Sequence, residues 1–483
     1  MTAGLFSSIA DPTDLDRVRD VIAASPDPER LVALGIRHLG IGPDVTAQVA
    51  DELAASLRPG TADPARVLLL VDATPILRDG EDLKARVEAD LGERFAVERL
   101  VLGHGDHLLA DDEALDAATA AVQGFDGVVS VGGGTITDVG KVATDRAGGI
   151  PLVVVQTAAS VDGFTDNVSV VLVSGVKRTI PSRWPDVVLA DTTTIRTAPA
   201  EMNSAGLGEV LSLYTAPADW RLASLLGLDG SFHETPRDLL LAFAGDPSEW
   251  AVGLSEGDPQ AVLRLTQVLA IRGIGTGIAG TTACLSGVEH VVSHMLDMHA
   301  AAHDLPVGLH GAQVGAATLV ASAAWHLLLD RLEQQPSPAL VELDRESQRR
   351  RVEQAFARVD GSGRQGAECW RDYSTKLDAV DAARERIEQA LREWPAVAAE
   401  FRGSIPTPET LAVALHAADS PSGPDGLEDW IDEGHFRWAV QDCLYMRNRF
   451  TVADLLLHLG WWTDAEVDTV LNRARSAAAA ARA

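Results

Sequence analysis

Cysteine is scarce: Cys284, Cys369 and Cys443 are scattered along 483 residues. That is too few for a disulfide framework or a cysteine-rich zinc site. Such usage fits a reducing compartment, and the expectation is a cytoplasmic protein. No apolar run reaches about 18 residues, so no transmembrane helix is expected. The first thirty residues carry Asp, Glu, Pro and Arg without a long apolar core, so no signal peptide is expected either. Basic side chains are in deficit, 40 Lys plus Arg against 70 Asp plus Glu, a formal net charge of −30. That field repels nucleic acid and anionic membranes but does not exclude a small anionic ligand, because a site can be locally positive. Apolar residues at 46% and charged residues at 23% are ordinary for a globular chain, and the length accommodates two or three domains of about 150 residues.

Residues 1–65 read as helical. From Arg66 short apolar runs begin: Val67-Leu68-Leu69-Leu70-Val71 before Asp72, then Arg99-Leu100-Val101-Leu102, Val128-Val129-Ser130-Val131 and Leu152-Val153-Val154-Val155. Helical spacing lies between them, as in Asp111 to Gln123. Wholly apolar strands alternating with helices predict a parallel sheet covered on both faces. Val168–Val173 and Val176–Ile180 flank Ser174-Gly175 and read as a hairpin. A last strand, Val187-Val188-Leu189-Ala190, precedes Asp191. Beyond about Thr192 the patterns are helical throughout. The expected architecture is an α/β nucleotide-binding domain over residues 1–191 and an all-α domain over 192–483. Residues 335–400, dense in charges of both signs, read as a solvated helical insert. Residues 418–430 read as a loop, and the Ala-rich end after Arg473 as a fraying helix.

Three constellations carry chemistry. Gly132-Gly133-Gly134 stands between a buried strand and a helix, where glycines let a backbone approach a pyrophosphate and helix-start N–H groups attract it. It is neither G-x-G-x-x-G nor a Walker A sequence, and a tight ligand-free turn has the same spelling. Asp72, at the end of the first sheet strand, suits a ribose hydroxyl pair and equally a helix cap. His290 and His294 are four apart on one helix face after Ser286 and Glu289, spaced as a capping box, and His310 opens the next helix. Imidazoles so placed suit a divalent metal completed by a carboxylate, or are ordinary helix histidines. His299 and His303 repeat the spacing of four.

Read together, several segments resemble glycerol-1-phosphate dehydrogenase, within the group that includes iron-containing alcohol dehydrogenases and dehydroquinate synthase. They are Gly132–Lys141, Gln156-Thr157-Ala158-Ala159-Ser160-Val161-Asp162-Gly163-Phe164, Ala205–Trp220, Ser286–His294 and Met446–Leu456. The resemblance implies a dehydroquinate synthase-like fold with the active site in the cleft between an α/β and a helical domain. It implies NAD or NADP on Gly132, Gly133 and Gly134, with Asp72 at the adenosine ribose favouring NAD, and Thr157 and Ser160 along the cofactor. Asp162 would sit beside substrate and nicotinamide. Glu209, His290 and His310 would ligate Zn, Ni or Fe, and His294 would line the substrate pocket and relay a proton. Lys141 belongs to the turn motif without an assigned chemical role. The implied reaction interconverts a small ketose phosphate and a polyol phosphate by hydride transfer, in a homo-oligomer. Three positions depart from the pattern. Glu209 stands where these dehydrogenases have Asp and sugar-phosphate cyclases have Glu. His310-Gly311-Ala312-Gln313 replaces His-Gly-Glu-Gln. Thr281–Leu285 lacks the arginine of a Ser-Arg-Pro segment. A cyclase of the dehydroquinate synthase type and a repurposed non-catalytic homologue therefore stand as alternatives.

Overall fold

A computed structural model describes residues 3–103, 108–173 and 176–483. Its main sheet has six strands: β1 (His38–Gly42), β2 (Arg66–Asp72), β3 (Ala96–Leu102), β4 (Gly127–Gly132), β5 (Leu152–Gln156) and β6 (Val187–Asp191). They lie in the order β1-β6-β5-β4-β2-β3, every pair parallel. The three strands β4, β5 and β6 are buried at every residue, which is why they read as unbroken apolar runs. Val67, Leu69, Val71, Val129, Val131, Val153 and Val155 share one face and pack on Val49, Leu53, Leu83, Val87 and Leu91. Fully burying each such side chain is worth about 1.5–3 kcal/mol. Val168–Val173 and Val176–Pro181 pair antiparallel, whereas Ser174 and Gly175 lie outside the described residues.

Residues 1–65 are not all helical. Edge strand β1 alternates Leu39 and Ile41 with His38, Gly40 and Gly42, and carries too little apolar signal to stand out. At the opposite edge β3 begins at Ala96, before the apolar run, because edge strands tolerate the exposed Glu98 and Arg99.

No strand follows Asp191 among the described residues. The chain forms two compact units: residues 1–206, 233–246 and 250–282 make the first, and residues 207–232, 247–249 and 283–483 the second. The first therefore continues past the 191/192 boundary suggested by the end of the strands. It takes in the Pro259–Ala279 helix, and the chain changes unit inside helix α1 (Ala200–Leu211).

The second unit is helical around α2 (Val288–Ala302) and α3 (His310–Gln334). Pro259–Ala279 and α3 have the length and apolar content of membrane spans, which no uninterrupted apolar run had signalled. Their most apolar windows are 83% and 94% buried in protein. A helix apolar on all sides is what a core requires.

The charge-dense segment corrects the expectation of a solvated excursion. It forms three helices, Arg345–Phe356, α4 (Arg364–Ala382) and α5 (Arg384–Ser404). Phe356, Tyr373, Leu377, Ile387, Leu391, Trp394 and Phe401 from them join the core of the second unit. These apolar residues recur at helical spacing, so each helix has one buried face beneath its charges. The Ala-rich end differs too: the Asp464–Arg482 helix continues to its last turn with Ala474, Ala477 and Ala478 buried. Small side chains there allow close packing rather than fraying.

Candidate functional site

Glu209 is at the C-terminal end of α1, His290 in the first turn of α2 and His310 at the first residue of α3. One ligand-type atom from each lies within 4.8 Å of the other two. Glu209 Oε1 is 3.1 Å from His290 Nε2, and Glu209 Oε2 is 3.7 Å from His310 Nε2. Two features hold this convergence. Gly208 lets α1 meet α3 backbone to backbone, since a Cβ there would stand 2.1 Å from Gly311 O. Glu289, wholly buried, fixes the head of α2. Its Oε1 accepts from Gly287 N at 2.6 Å and lies 3.1 Å from His290 Nδ1, and its Oε2 accepts from Thr215 Oγ1 at 2.9 Å. The helix begins at Val288, with Gly287 as its cap and without the Ser286 side-chain bond of a capping box.

A carboxylate on one imidazole nitrogen sets the tautomer and leaves the other nitrogen's lone pair for a cation. Glu289 orients the His290 ring through Nδ1 and directs Nε2 toward Glu209. Ser293 Oγ, 2.7 Å from His310 Nδ1 and 2.7 Å from the Gln313 amide, anchors the second imidazole. Burial lowers the His290 pKa, but Glu209 and Glu289 outweigh it and the net shift is upward. A buried carboxylate with two imidazoles is a donor set that suits a divalent cation. His294, one turn beyond His290, is buried, with its ring stacked 5.5 Å from that of His310. Ala312, where the resemblance implied a glutamate, is buried as well.

The head of α2 is also tied to Asp219. Its Oδ2 accepts from Val288 N at 3.0 Å, and its Oδ1 from Val452 N at 2.9 Å and Trp325 Nε1 at 3.0 Å. Burial first, and then the charge of Glu289, push the Asp219 carboxyl well above its ordinary range.

In the first unit, the other predicted residues lie at the carboxyl ends of neighbouring strands. Strand β2 pairs with β3 on one side and β4 on the other, so the strand order reverses there. Open α/β sheets bind ligands at such a reversal. Asp72 ends β2, and Gly132 ends β4. Thr157 follows β5 and donates from its N–H to Gly132 O at 3.2 Å, with Ser160 three residues on. Gly132 has φ 155°, and a Cβ there would lie 2.6 Å from Ile136 Cγ2. Gly133 caps the Gly134–Arg146 helix without a side-chain bond, and a Cβ on it would meet nothing within 4 Å. That open helix start fits an anionic group.

Asp72 is already engaged. Lys84 Nζ lies 2.5 Å from its Oδ1, and Thr74 N donates to the same oxygen at 3.2 Å. Asp162 is held by the buried Arg272, whose Nε lies 2.8 Å from Oδ2. Lys141 is wholly buried and ties the turn helix to the segment beyond β5. Its Nζ reaches Asp166 at 2.7 Å, Asp138 at 3.0 Å, Gly163 O at 2.8 Å and Val168 O.

Sequence comparison decides the relationship. The family model for iron-containing alcohol dehydrogenases matches residues 44–199. Glycerol-1-phosphate dehydrogenase (NAD(P)+) of Aeropyrum pernix is 32% identical over 256 residues, covering 53% of this chain and 69% of the relative. The chain belongs to this family. The enzyme of the same name from Pyrococcus furiosus is 35% identical over 192 residues, covering 40% of this chain and 54% of the relative. That of Halalkalibacterium halodurans is 30% identical over 223 residues, covering 45% and 54%. The matched region thus spans about half the length of these two relatives. Solved structures agree on the iron-type alcohol dehydrogenase fold. The alcohol dehydrogenase from Oenococcus oeni superposes with a TM-score of 0.53 at 14% identity, covering 91% of this chain and 97% of the other. The iron-containing alcohol dehydrogenase from Corynebacterium glutamicum gives 0.52 at 15%, covering 92% and 95%.

Within this glycerol-1-phosphate dehydrogenase family chain, the residues missed by sequence reasoning are those that orient others. Glu289 adjoins His290, and Gln313 sits one turn after His310, so a search for partners of the imidazoles would have found both. Arg272 carried no local signal, because its partner Asp162 is 110 residues away, and Lys84 carried none because it meets Asp72 only where the chain returns 12 residues later from the end of β2.

Proposed function

We propose that this protein is a metal-dependent, NAD(P)-linked oxidoreductase that interconverts a small ketose phosphate and a polyol phosphate, of the dihydroxyacetone phosphate and sn-glycerol 1-phosphate type. The observation that carries this reading is the convergence of Glu209, His290 and His310 within 4.8 Å in a chain of this family. Those three residues would hold a divalent cation, Zn, Ni or Fe. The cation, when bound, supplies Lewis-acid polarisation of a substrate oxygen, and NAD(P) supplies or accepts the hydride.

The chain's own residues do the rest. Glu289 and Ser293 hold the two imidazoles in the orientation needed. His294, whose ring stacks on that of His310, would carry a proton to or from the substrate oxygen. Gly133 and Gly134 offer the helix start to the pyrophosphate, and Thr157 and Ser160 continue the same strand-end surface. Arg272 pairs with Asp162 and orients its carboxylate. Lys84 offsets the charge of Asp72, which weakens its repulsion of a 2′-phosphate and supports use of either dinucleotide.

The test uses purified protein loaded with Zn, Ni or Fe, NADH or NADPH, and dihydroxyacetone phosphate. Nicotinamide absorbance should fall as sn-glycerol 1-phosphate forms. No turnover across a panel of ketose phosphates with any of the metals overturns the proposal. Glu209 favours one rival, a sugar-phosphate cyclase. Release of phosphate from a heptulose phosphate with no net change in NADH would establish that reaction instead.

A further inference from the structure

A second group of histidines lies at the other end of α2. His299 is in the last turn of that helix, His303 caps its C-terminus, and His435 is in the first turn of α6 (Glu433–Asp442). The His299 ring is 4.2 Å from the His303 ring and 5.2 Å from the His435 ring, centroid to centroid. Trp430 and Trp438 flank His299 at 5.3 and 5.7 Å. Both indoles are engaged elsewhere, Trp430 Nε1 with Pro306 O at 2.9 Å and Trp438 Nε1 with Ala355 O at 3.0 Å.

The partners of the three imidazoles are informative. His299 Nδ1 lies 3.1 Å from Arg358 O, His303 Nδ1 lies 2.9 Å from His299 O, and His435 Nδ1 lies 2.8 Å from Asp432 Oδ1. Carbonyl and carboxylate oxygens only accept, so each Nδ1 carries the proton. In a neutral imidazole the lone pair then belongs to Nε2. Three neighbouring histidines thus share one tautomer, each with its N–H given to a backbone carbonyl or a carboxylate. Metal-ligating histidines are oriented in this way by the groups behind them.

We propose that His299, His303 and His435 form a second divalent transition-metal site, separate from the Glu209, His290 and His310 cluster. The i, i+4 pair on the end of α2 supplies two Nε2 atoms, and α6 supplies the third. Among the described residues only Glu209, His290 and His310 already bring three donors within 4.8 Å of one another; His303 is exposed and His435 half-exposed, so an ion at the second group is reached by rotation of these two rings away from their Nδ1 partners, and water completes its coordination. An all-imidazole set selects borderline ions such as Zn²⁺, Ni²⁺ or Cu²⁺ over Mg²⁺ or Ca²⁺. His290 and His299 are nine residues apart on one helix, about 13 Å at 1.5 Å per residue, so one ion cannot serve both groups. Bound there, the ion clips the C-terminal end of α2 to α6.

The experiment compares the full chain with H303N/H435N and H290N variants, each stripped with a chelator and titrated with Zn²⁺ before metal analysis. The wild-type protein should bind one equivalent more than H303N/H435N. H290N should keep the equivalent that H303N/H435N loses. In a parallel titration, Ni²⁺ should quench part of the tryptophan fluorescence through Trp430. W430F and H303N/H435N should each lose that part, whereas H290N keeps it. Equal stoichiometry in wild type and H303N/H435N, or Ni²⁺ quenching unchanged by H303N/H435N, overturns the proposal. Neither result bears on the Glu209 cluster, whose failure would instead appear as H290N and wild type binding the same amount.

Discussion

Replacing Gly208 with alanine tests whether the contact of α1 with α3 sets the metal-type cluster. The new Cβ would stand 2.1 Å from Gly311 O, 3.0 Å from Gly311 C and 3.1 Å from Gly315 Cα. All three are backbone atoms, so no side chain can swing aside. Restoring a contact of about 3.5 Å requires the helices to part by roughly 1.4 Å. Overpacking of this kind costs about 1–3 kcal/mol. In a unit of this size that lowers Tm by about 2–4 °C per kcal/mol. Glu209 follows Gly208 directly and His310 precedes Gly311, so the same shift widens the 3.7 Å separation of Glu209 Oε2 from His310 Nε2. Metal sites tolerate only about 0.2 Å of error in ligand distance, so divalent-metal affinity should fall about 10- to 100-fold. The assay is competition with a chromophoric chelator, alongside thermal unfolding of the metal-free protein. Gly403, in α5, is the control: a Cβ there meets nothing within 4 Å, so G403A should be neutral or slightly stabilising. G208A with unchanged Tm and unchanged metal affinity would refute the reasoning.

Other expectations follow from buried charges and packing. Burial first, and then Lys376, lower the His458 pKa from 6.5 to about 4. The unfolded chain takes up a proton in that window and the folded chain does not, so stability is full above 6.5 and is lost as pH falls toward 4. The loss is on the order of 3 kcal/mol, and urea unfolding at about pH 7 and about pH 4.5 should show it shrinking in H458F. K141M leaves Asp138 and Asp166 buried without their cation and should cost about 3–5 kcal/mol in the same assay. A near-neutral result would mean that those carboxyls are protonated in the folded protein. F401A removes a ring stacked 4.9 Å from Trp325 and 5.4 Å from Trp394, and a loss well under the expected ~3–5 kcal/mol would show that the core collapses around the gap.

The interior strands were legible because both of their faces are buried, so Val128–Val131 and Val187–Ala190 show no polar alternation. Strand β1 was not, because an edge strand with two glycines looks like a loop. In the charge-dense segment, Leu377, Ile387, Leu391 and Trp394 keep helical spacing, but the surrounding charges mask it unless the apolar positions are read alone. Spacing placed His290 and His294 on one helix face, which is where α2 carries them. The nearness of Glu209 to these histidines came only from resemblance to a family, because 81 residues of chain separate Glu209 from His290. Glu289, Lys84 and Arg272 show the remaining gap: the residues that steer a functional group announce themselves only when the fold brings them to it.

The aromatic stack that begins with Trp394 has a wider reach than its place in the sequence suggests. Trp394 rests on Phe401, Phe401 on Trp325, and the Trp325 indole donates to Asp219, which also receives the first N–H of α2 two residues before His290. A stretch that looks like surface ornament is thus the far end of a lever whose short arm carries an imidazole. Substitutions in the 384–404 segment should therefore tune the divalent-metal affinity proposed for Glu209, His290 and His310 without touching any of those three side chains.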